Sequence, residues 1–268
     1  MILKLDPRWP VVWRTPHSAQ VGIDPPKAVL EDLTLTQERM LSALILGISA
    51  PGMKLLREDT PGERDRLLDT LAPALSRART GDTEPVVAIS GRGTLVTALS
   101  ELLGRSGIRV LLTADNRPPD ELSPAVAVLV GRWVLTPDIQ SHWLRRDVPH
   151  LSIVFSDTGV TIGPVVTPGA GACLRCIELH RTDADPAWPA IASQLHGLGG
   201  GAETPILAAE AAAIAFRMLT ATLEEPRAPD GSDGAESIHI DAESGERTIR
   251  HWMQHPECGC GGIDSVLA

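Results

Sequence analysis

Four cysteines in two close pairs, Cys173-Leu174-Arg175-Cys176 and Cys258-Gly259-Cys260, are the residues whose type and spacing point most directly to chemistry. Soft thiolates suit a structural Zn2+, and four of them complete its tetrahedron, leaving no open position for a substrate or a catalytic water. Such a centre holds structure rather than turning over substrate. Roughly 80 residues separate the pairs, so a shared ion would pin the C-terminal tail onto the middle of the fold. Glycines flank both pairs, in Pro168-Gly169-Ala170-Gly171 and at Gly259, Gly261 and Gly262, and permit loops tight enough to close around an ion. The Cys-x-Cys bite is narrower than the usual Cys-x-x-Cys, which keeps His255 open as a replacement for one of the last two thiolates. A redox dithiol, a disulfide and plain packing of buried thiols are the other readings of these residues. Two pairs with no spare cysteine favour metal.

Gly91-Arg92-Gly93 and Asp115 form the second candidate set. The apolar run 86–90 precedes the glycines, helical spacing of Leu95, Leu99, Leu102 and Leu103 follows, and a second apolar run at 108–112 leads to Asp115. That is the order of a Rossmann-type nucleotide-binding unit, with Asp115 placed for ribose hydroxyls. In such a loop the first glycine turns, the second admits phosphate and the third lets the helix pack on the sheet. Val96 stands at the third position, where a branched side chain is expected to push the helix away or obstruct the pocket. After the next strand, where a Mg2+-binding acid would be needed, the chain reads Gly131-Arg132-Trp133. Asp138, in Thr136-Pro137-Asp138, reads as a helix start. ATP is therefore a doubtful cofactor, while Zn2+ is expected as a structural one.

The elements that must carry these residues fall into two parts. Residues 1–80 show three short apolar stretches, 10–14, 19–23 and 27–30, separated by turn residues. Two helices follow, one capped by Thr34 or Thr36 and carrying Met40, Leu41, Leu44 and Ile45, the other starting near Thr60-Pro61-Gly62-Glu63. This is the outline of a small winged-helix-like α+β module, whose sheet edge could accept an added strand from a peptide. A linker is expected at 81–85. Residues 85–268 then read as an α/β domain with a Rossmann-like doubly wound sheet. Its expected strands are 86–90, 108–112, 125–130, 150–155 and 160–166, its helices include 137–146 and 205–223, and a hairpin of 237–241 with 247–252 feeds the second cysteine pair.

The net charge of −10 argues against a general nucleic-acid binder. With no Tyr and only two Phe, the core must rest on Leu, Val, Ile and Ala. No apolar run long enough to span a bilayer is expected, the N-terminus lacks the look of a secretion signal, and a cytoplasmic protein with reduced thiols is anticipated.

A Rossmann unit followed by Gly163-Pro164-Val165-Val166-Thr167-Pro168-Gly169, a Cys-x-x-Cys and a late cysteine pair is similar to the ThiF/MoeB superfamily, relatives of ubiquitin-activating enzymes. The stretch from Cys173 through Glu178 to His180-Arg181 looks closest to a divergent branch of that family, found in gene clusters for azole-modified peptides and labelled cyclodehydratase or leader-peptide-binding proteins. The resemblance implies a zinc clasp made by Cys173, Cys176, Cys258 and Cys260. It also implies an N-terminal winged-helix element that binds precursor leader peptides by strand addition, a YcaO-type cyclodehydratase as partner, and a possible homodimer. Family adenylyltransferases carry a glycine-richer loop and an aspartate after the later strand. Thr94 and Val96 replace two of those glycines and Gly131-Arg132 stands in place of the acid, so the catalytic roles do not carry over. A scaffold with little or no catalysis of its own is the expectation; an ATP-dependent adenylyltransferase using Gly91, Gly93 and Asp115, with Arg92 or Arg117 as cations, is the alternative.

Overall fold

A computed structural model describes residues 2–76, 84–113, 123–224 and 235–261. Asp115, Arg117, most of the expected linker and the loop beyond residue 224 lie outside the described residues. The chain divides into two units, Met1–Gly81 and Asp82–Ala268.

In the first unit β1 (Ile2–Leu3) pairs antiparallel with β5 (Ile48–Ser49), and β2 (Val11–Thr15), β3 (Ser18–Val21) and β4 (Ala28–Leu30) form an antiparallel sheet in that order. Helices α1 (Leu35–Leu46), α2 (Ala50–Leu55) and α3 (Glu63–Leu71) supply the other half of the core, and a 3-10 turn (Ala72–Ala74) ends α3. Thr34 starts α1 through a capping box: its hydroxyl accepts from the Gln37 amide, and the Gln37 side chain accepts from the Thr34 amide. The Thr34 hydroxyl donates to Glu63 Oε1 at 3.0 Å, and Glu63 Oε2 accepts from the Asp59 amide at 2.8 Å. One buried carboxylate thus ties the start of α1 to the start of α3. Ala19 and Val21 of β3 pack with Met40, Leu41, Leu44, Met53, Leu67 and Leu71. The β1–β5 pair and α2 have no counterpart in the sequence expectation, because two-residue strands and a six-residue helix show no measurable period.

The second unit contains β6 (Val86–Ser90), α4 (Thr94–Arg105), β7 (Arg109–Thr113), β8 (Val126–Arg132), α5 (Pro137–Leu144), β9 (His150–Phe155), β10 (Gly159–Val166), α6 (Leu174–Ala184), α7 (Trp188–Leu195), α8 (Pro205–Glu224), β11 (Ala235–Asp241) and β12 (Arg247–Trp252). Its seven-stranded sheet has the order β12-β11-β10-β9-β8-β6-β7. Strands β7, β6, β8 and β9 are parallel, and β10, β11 and β12 extend the sheet antiparallel. The sheet is therefore mixed, not doubly wound throughout. The reason is local: Ser156 donates its amide to the Gly159 carbonyl, so β9 turns directly into β10, and a connection that short can only reverse the strand.

Side-chain alternation places helices on both faces. Val87, Ile89, Val126 and Val128 point to one face with Leu95, Leu99 and Leu103 of α4 and Leu207, Ala211 and Ala215 of α8. Ala88, Ala127 and Leu129 point to the other, with Trp143 of α5 and Leu174, Cys176 and Ile177 of α6. Among the described residues α8 is the one helix long and apolar enough to cross a membrane, with a mean hydropathy of 1.6, contrary to the expectation of none. Here its buried stripe packs on α4 and the sheet. From β6 the chain runs outward to β7 and then returns past β6 to β8, so the crevice at the carboxyl ends of β6 and β8 is a topological switch point, where such sheets bind ligands.

Candidate functional site

The first cysteine pair stands at the start of α6 because the preceding chain reverses there. Gly169 and Gly171 have φ of +77° and +69°, and Ala170 donates its amide to the Thr167 carbonyl. Cys173 follows in extended backbone as the residue before α6, and Cys176 lies in the first turn. The hairpin of β11 and β12 brings the tail to the same place, where a turn closed by the Cys258 amide on the His255 carbonyl leads into a 3-10 turn (Gly259–Gly261).

The four sulfurs lie within 4.8 Å of one another. Cys173 Sγ is 3.9 Å from Cys176 Sγ and 3.7 Å from Cys258 Sγ, and Cys176 Sγ is 3.4 Å from Cys260 Sγ. Tetrahedral zinc with bonds of about 2.3 Å has sulfur–sulfur edges of about 3.8 Å, whereas a disulfide needs about 2.05 Å. The spacing is that of ligands around an ion and not of a bonded pair, and this set could hold a metal ion. Gln140 Nε2 lies 3.8 Å from Cys173 Sγ and Gln254 Nε2 lies 3.5 Å from Cys260 Sγ, as amide donors do around metal-bound thiolates. The neighbouring Cys260 thiol, with burial, raises the Cys173 thiol; the nearby Cys173 draws Cys260 down to about 4, and burial pushes Cys258 up to about 11.

His255 lies apart from the four sulfurs. Its ring is buried; Nδ1 accepts from the Glu257 amide at 3.1 Å, so Nε2 carries the proton and donates to Asp183 Oδ2 at 2.8 Å. Beside it, His180 bonds the Met253 carbonyl at 2.9 Å. His180, Asp183 and His255 thereby fasten the tail to α6 with hydrogen bonds.

In the crevice, Gly91 has φ of +139°, and a Cβ there would lie 2.7 Å from Val130 Cβ. Gly91 is needed for the close approach of β6 and β8. Gly93 has φ of +128°, and its missing Cβ would stand 2.5 Å from Glu203 Oε1. That carboxylate accepts from the Leu95 amide in the first turn of α4 at 3.1 Å and pairs with Arg132 at the end of β8. Val96 does not displace the helix: it is buried in the core with Leu95 and Leu99. The group that stands against the loop is instead Glu203, a residue absent from the sequence expectation. Its only signal was an acid between the Gly199-Gly200-Gly201 run and Thr204, the residue whose hydroxyl accepts from the Leu207 amide to open α8.

A cavity of about 180 Å³ lies on the α5/α6 side of the sheet, lined among others by Trp133, Gln140, Arg175, Glu178, Ser237 and Trp252. The Trp252 indole donates to Ser237 Oγ at 2.8 Å across the β11–β12 hairpin, so the hairpin that leads to the second cysteine pair forms part of the cavity wall.

The chain is similar to the heterocyclase TruD, with a TM-score of 0.65, 16% identity, and coverage of 97% of this chain and 42% of that one. A heterocyclase solved with substrate and cofactor gives 0.65 and 18%, covering 98% of this chain and 40% of the other. E. coli MccB, in a structure with succinimide, gives 0.58 and 13%, covering 98% of this chain and 100% of MccB. The likeness is one of fold. The chain thus has a Rossmann-like α/β fold of the kind seen in these proteins, and it spans about two fifths of the length of the heterocyclases. No protein-family model matches the chain, and no curated protein does.

Proposed function

We propose that this protein is a peptide-binding scaffold of azole-peptide biosynthesis, with little or no catalysis of its own, which presents a precursor leader peptide to a YcaO-type cyclodehydratase. The observation that carries this reading is the free edge of β2. Among the described residues β2 pairs with β3 only, four of its five residues are exposed, and Trp13 is 53% exposed. The Gly22 amide donates to the Pro10 carbonyl, so in the β2–β3 register Trp13 stands at a non-bonded position with its N–H and C=O facing the free edge. An extended peptide can add there as a strand, its main chain supplying affinity and its side chains specificity. The unit that carries β2 is read as a winged-helix-like recognition module. The likeness to heterocyclases supports the biosynthetic setting. The four cysteines are read as ligands of a structural Zn2+ that clasps the last hairpin to the α/β domain.

The test is calorimetric titration of the full chain with candidate leader peptides. Trp13→Pro removes a free-edge donor without removing a β2–β3 bond, and Trp13→Val keeps it. Loss of binding in the proline variant with retention in the valine variant is expected; equal binding by both would exclude strand addition at β2.

The alternative reading, an ATP-dependent adenylyltransferase, draws on the full-length match to MccB, which has also been solved with ATP. Release of pyrophosphate from Mg-ATP with a candidate peptide would favour it; charge reversal at Arg92 should then abolish turnover.

A further inference from the structure

Glu203 fills the spot at the switch point where the donors for an anion converge. The Leu95 amide, the Arg132 guanidinium and the Cβ-free surface of Gly93 surround its carboxylate, and the side chain is only 9% exposed. A helix-start amide and a guanidinium are the donor set that phosphate oxygens use. The segment that delivers the carboxylate is itself held in place. Gly200 and Gly201 have φ of +105° and +96°, the Ala202 amide donates to the Ser156 carbonyl at 2.7 Å, and Thr204 caps α8. An acid 108 residues away from Leu95 in sequence has been brought to the start of α4 by a backbone path that glycine makes accessible.

We propose that Glu203 is an internal competitor, an autoinhibitory carboxylate that closes the anion cradle of the crevice to phosphate-bearing ligands. Two anions cannot share these donors, because repulsion at contact distance in a poorly solvated site outweighs what the second would gain. The cradle therefore opens when the carboxylate is removed, and Arg132 becomes the cation that receives the ligand. This inference goes beyond peptide binding and does not depend on it.

Inorganic pyrophosphate is the probe, titrated into the full chain and followed by calorimetry and by the melting temperature, which rises with ligand when the native state binds. Glu203→Ala should bind pyrophosphate at least about tenfold more tightly than the parent protein. Arg132→Ala combined with Glu203→Ala should lose that gain. Glu203→Gln, which keeps the volume and an acceptor for the Leu95 amide, should fall between; it carries the comparison if the alanine variant does not fold. The proposal is overturned if the folded Glu203 variants bind no more tightly than the parent, or if removing Arg132 leaves the gained affinity intact. Equal tight binding by the parent would overturn it too, and none of these outcomes bears on the β2 titration.

Discussion

Cys173 and Cys258, 85 residues apart in the chain, stand with their sulfurs 3.7 Å apart. Nothing local holds them there: the first opens α6 and the second ends the turn beyond β12. With Cys176 and Cys260 they bracket α6, α7, α8 and the β11–β12 hairpin, so an ion held at this point would constrain a large part of the unfolded chain.

The protein as purified should hold about one equivalent of zinc per chain. Stripping it with a strong chelator, or substituting Cys258→Ser, should lower the melting temperature by about 10 °C, the equivalent of ~3 kcal/mol for a chain of this size. Elemental analysis returning under about half an equivalent would remove the clasp from consideration.

His150 on β9 is fully buried, with Nδ1 on the Val148 carbonyl and Nε2 without a partner among the described residues. Burial holds its pKa down at about 4, below the ordinary value of 6.5. The unfolded chain binds the proton first, so His150 costs nothing above pH 6.5 and destabilises the fold as pH falls from there toward 4, by up to about 3 kcal/mol. Urea unfolding of the parent and His150→Gln at pH 7 and pH 4.5 should show the parent losing more; parallel losses would contradict this assignment.

Glu63 accepts from the Thr34 hydroxyl and the Asp59 amide while 2% exposed. Removing the carboxylate leaves two part-buried donors to find water instead, and Glu63→Ala should cost about 1–2 kcal/mol in denaturant unfolding. A change below about 0.5 kcal/mol, the range of an ordinary surface site, would mean the bridge is dispensable.

Gly91 and Gly104 should respond in opposite directions to alanine. At Gly91 the positive φ and the clash with Val130 predict a loss of about 3 kcal/mol or more. Gly104 lies in α4 with nothing within 4 Å of its Cβ direction, and alanine there should stabilise by about 0.5–1 kcal/mol. Circular dichroism melts of the two variants test both signs.

Much of the larger unit was legible because its signals are local. The strand expected at 150–155 is β9 residue for residue, the continuous apolar run at 86–90 is β6, and the 3.6-residue spacing after Gly93 is α4. The hairpin feeding the tail was visible from two alternating segments around Glu243-Ser244-Gly245. Leu102 shows the limit: it shares the apolar spacing of α4, yet it is 37% exposed, since spacing does not say how wide a face the neighbours cover.

Residue type and spacing were enough to single out the four cysteines as one set and to show that the glycine loop departs from a phosphate loop. Which groups meet was decided by the tertiary structure. The hairpin and the start of α6 bring all four sulfurs together while turning His255 toward Asp183, and a reversal at Ser156 makes half the sheet antiparallel. The same packing carries Glu203 to Arg132. Period and composition record how each segment meets water and its own neighbours; a contact across 71 residues depends on where two independently folded segments arrive, and no local pattern encodes that.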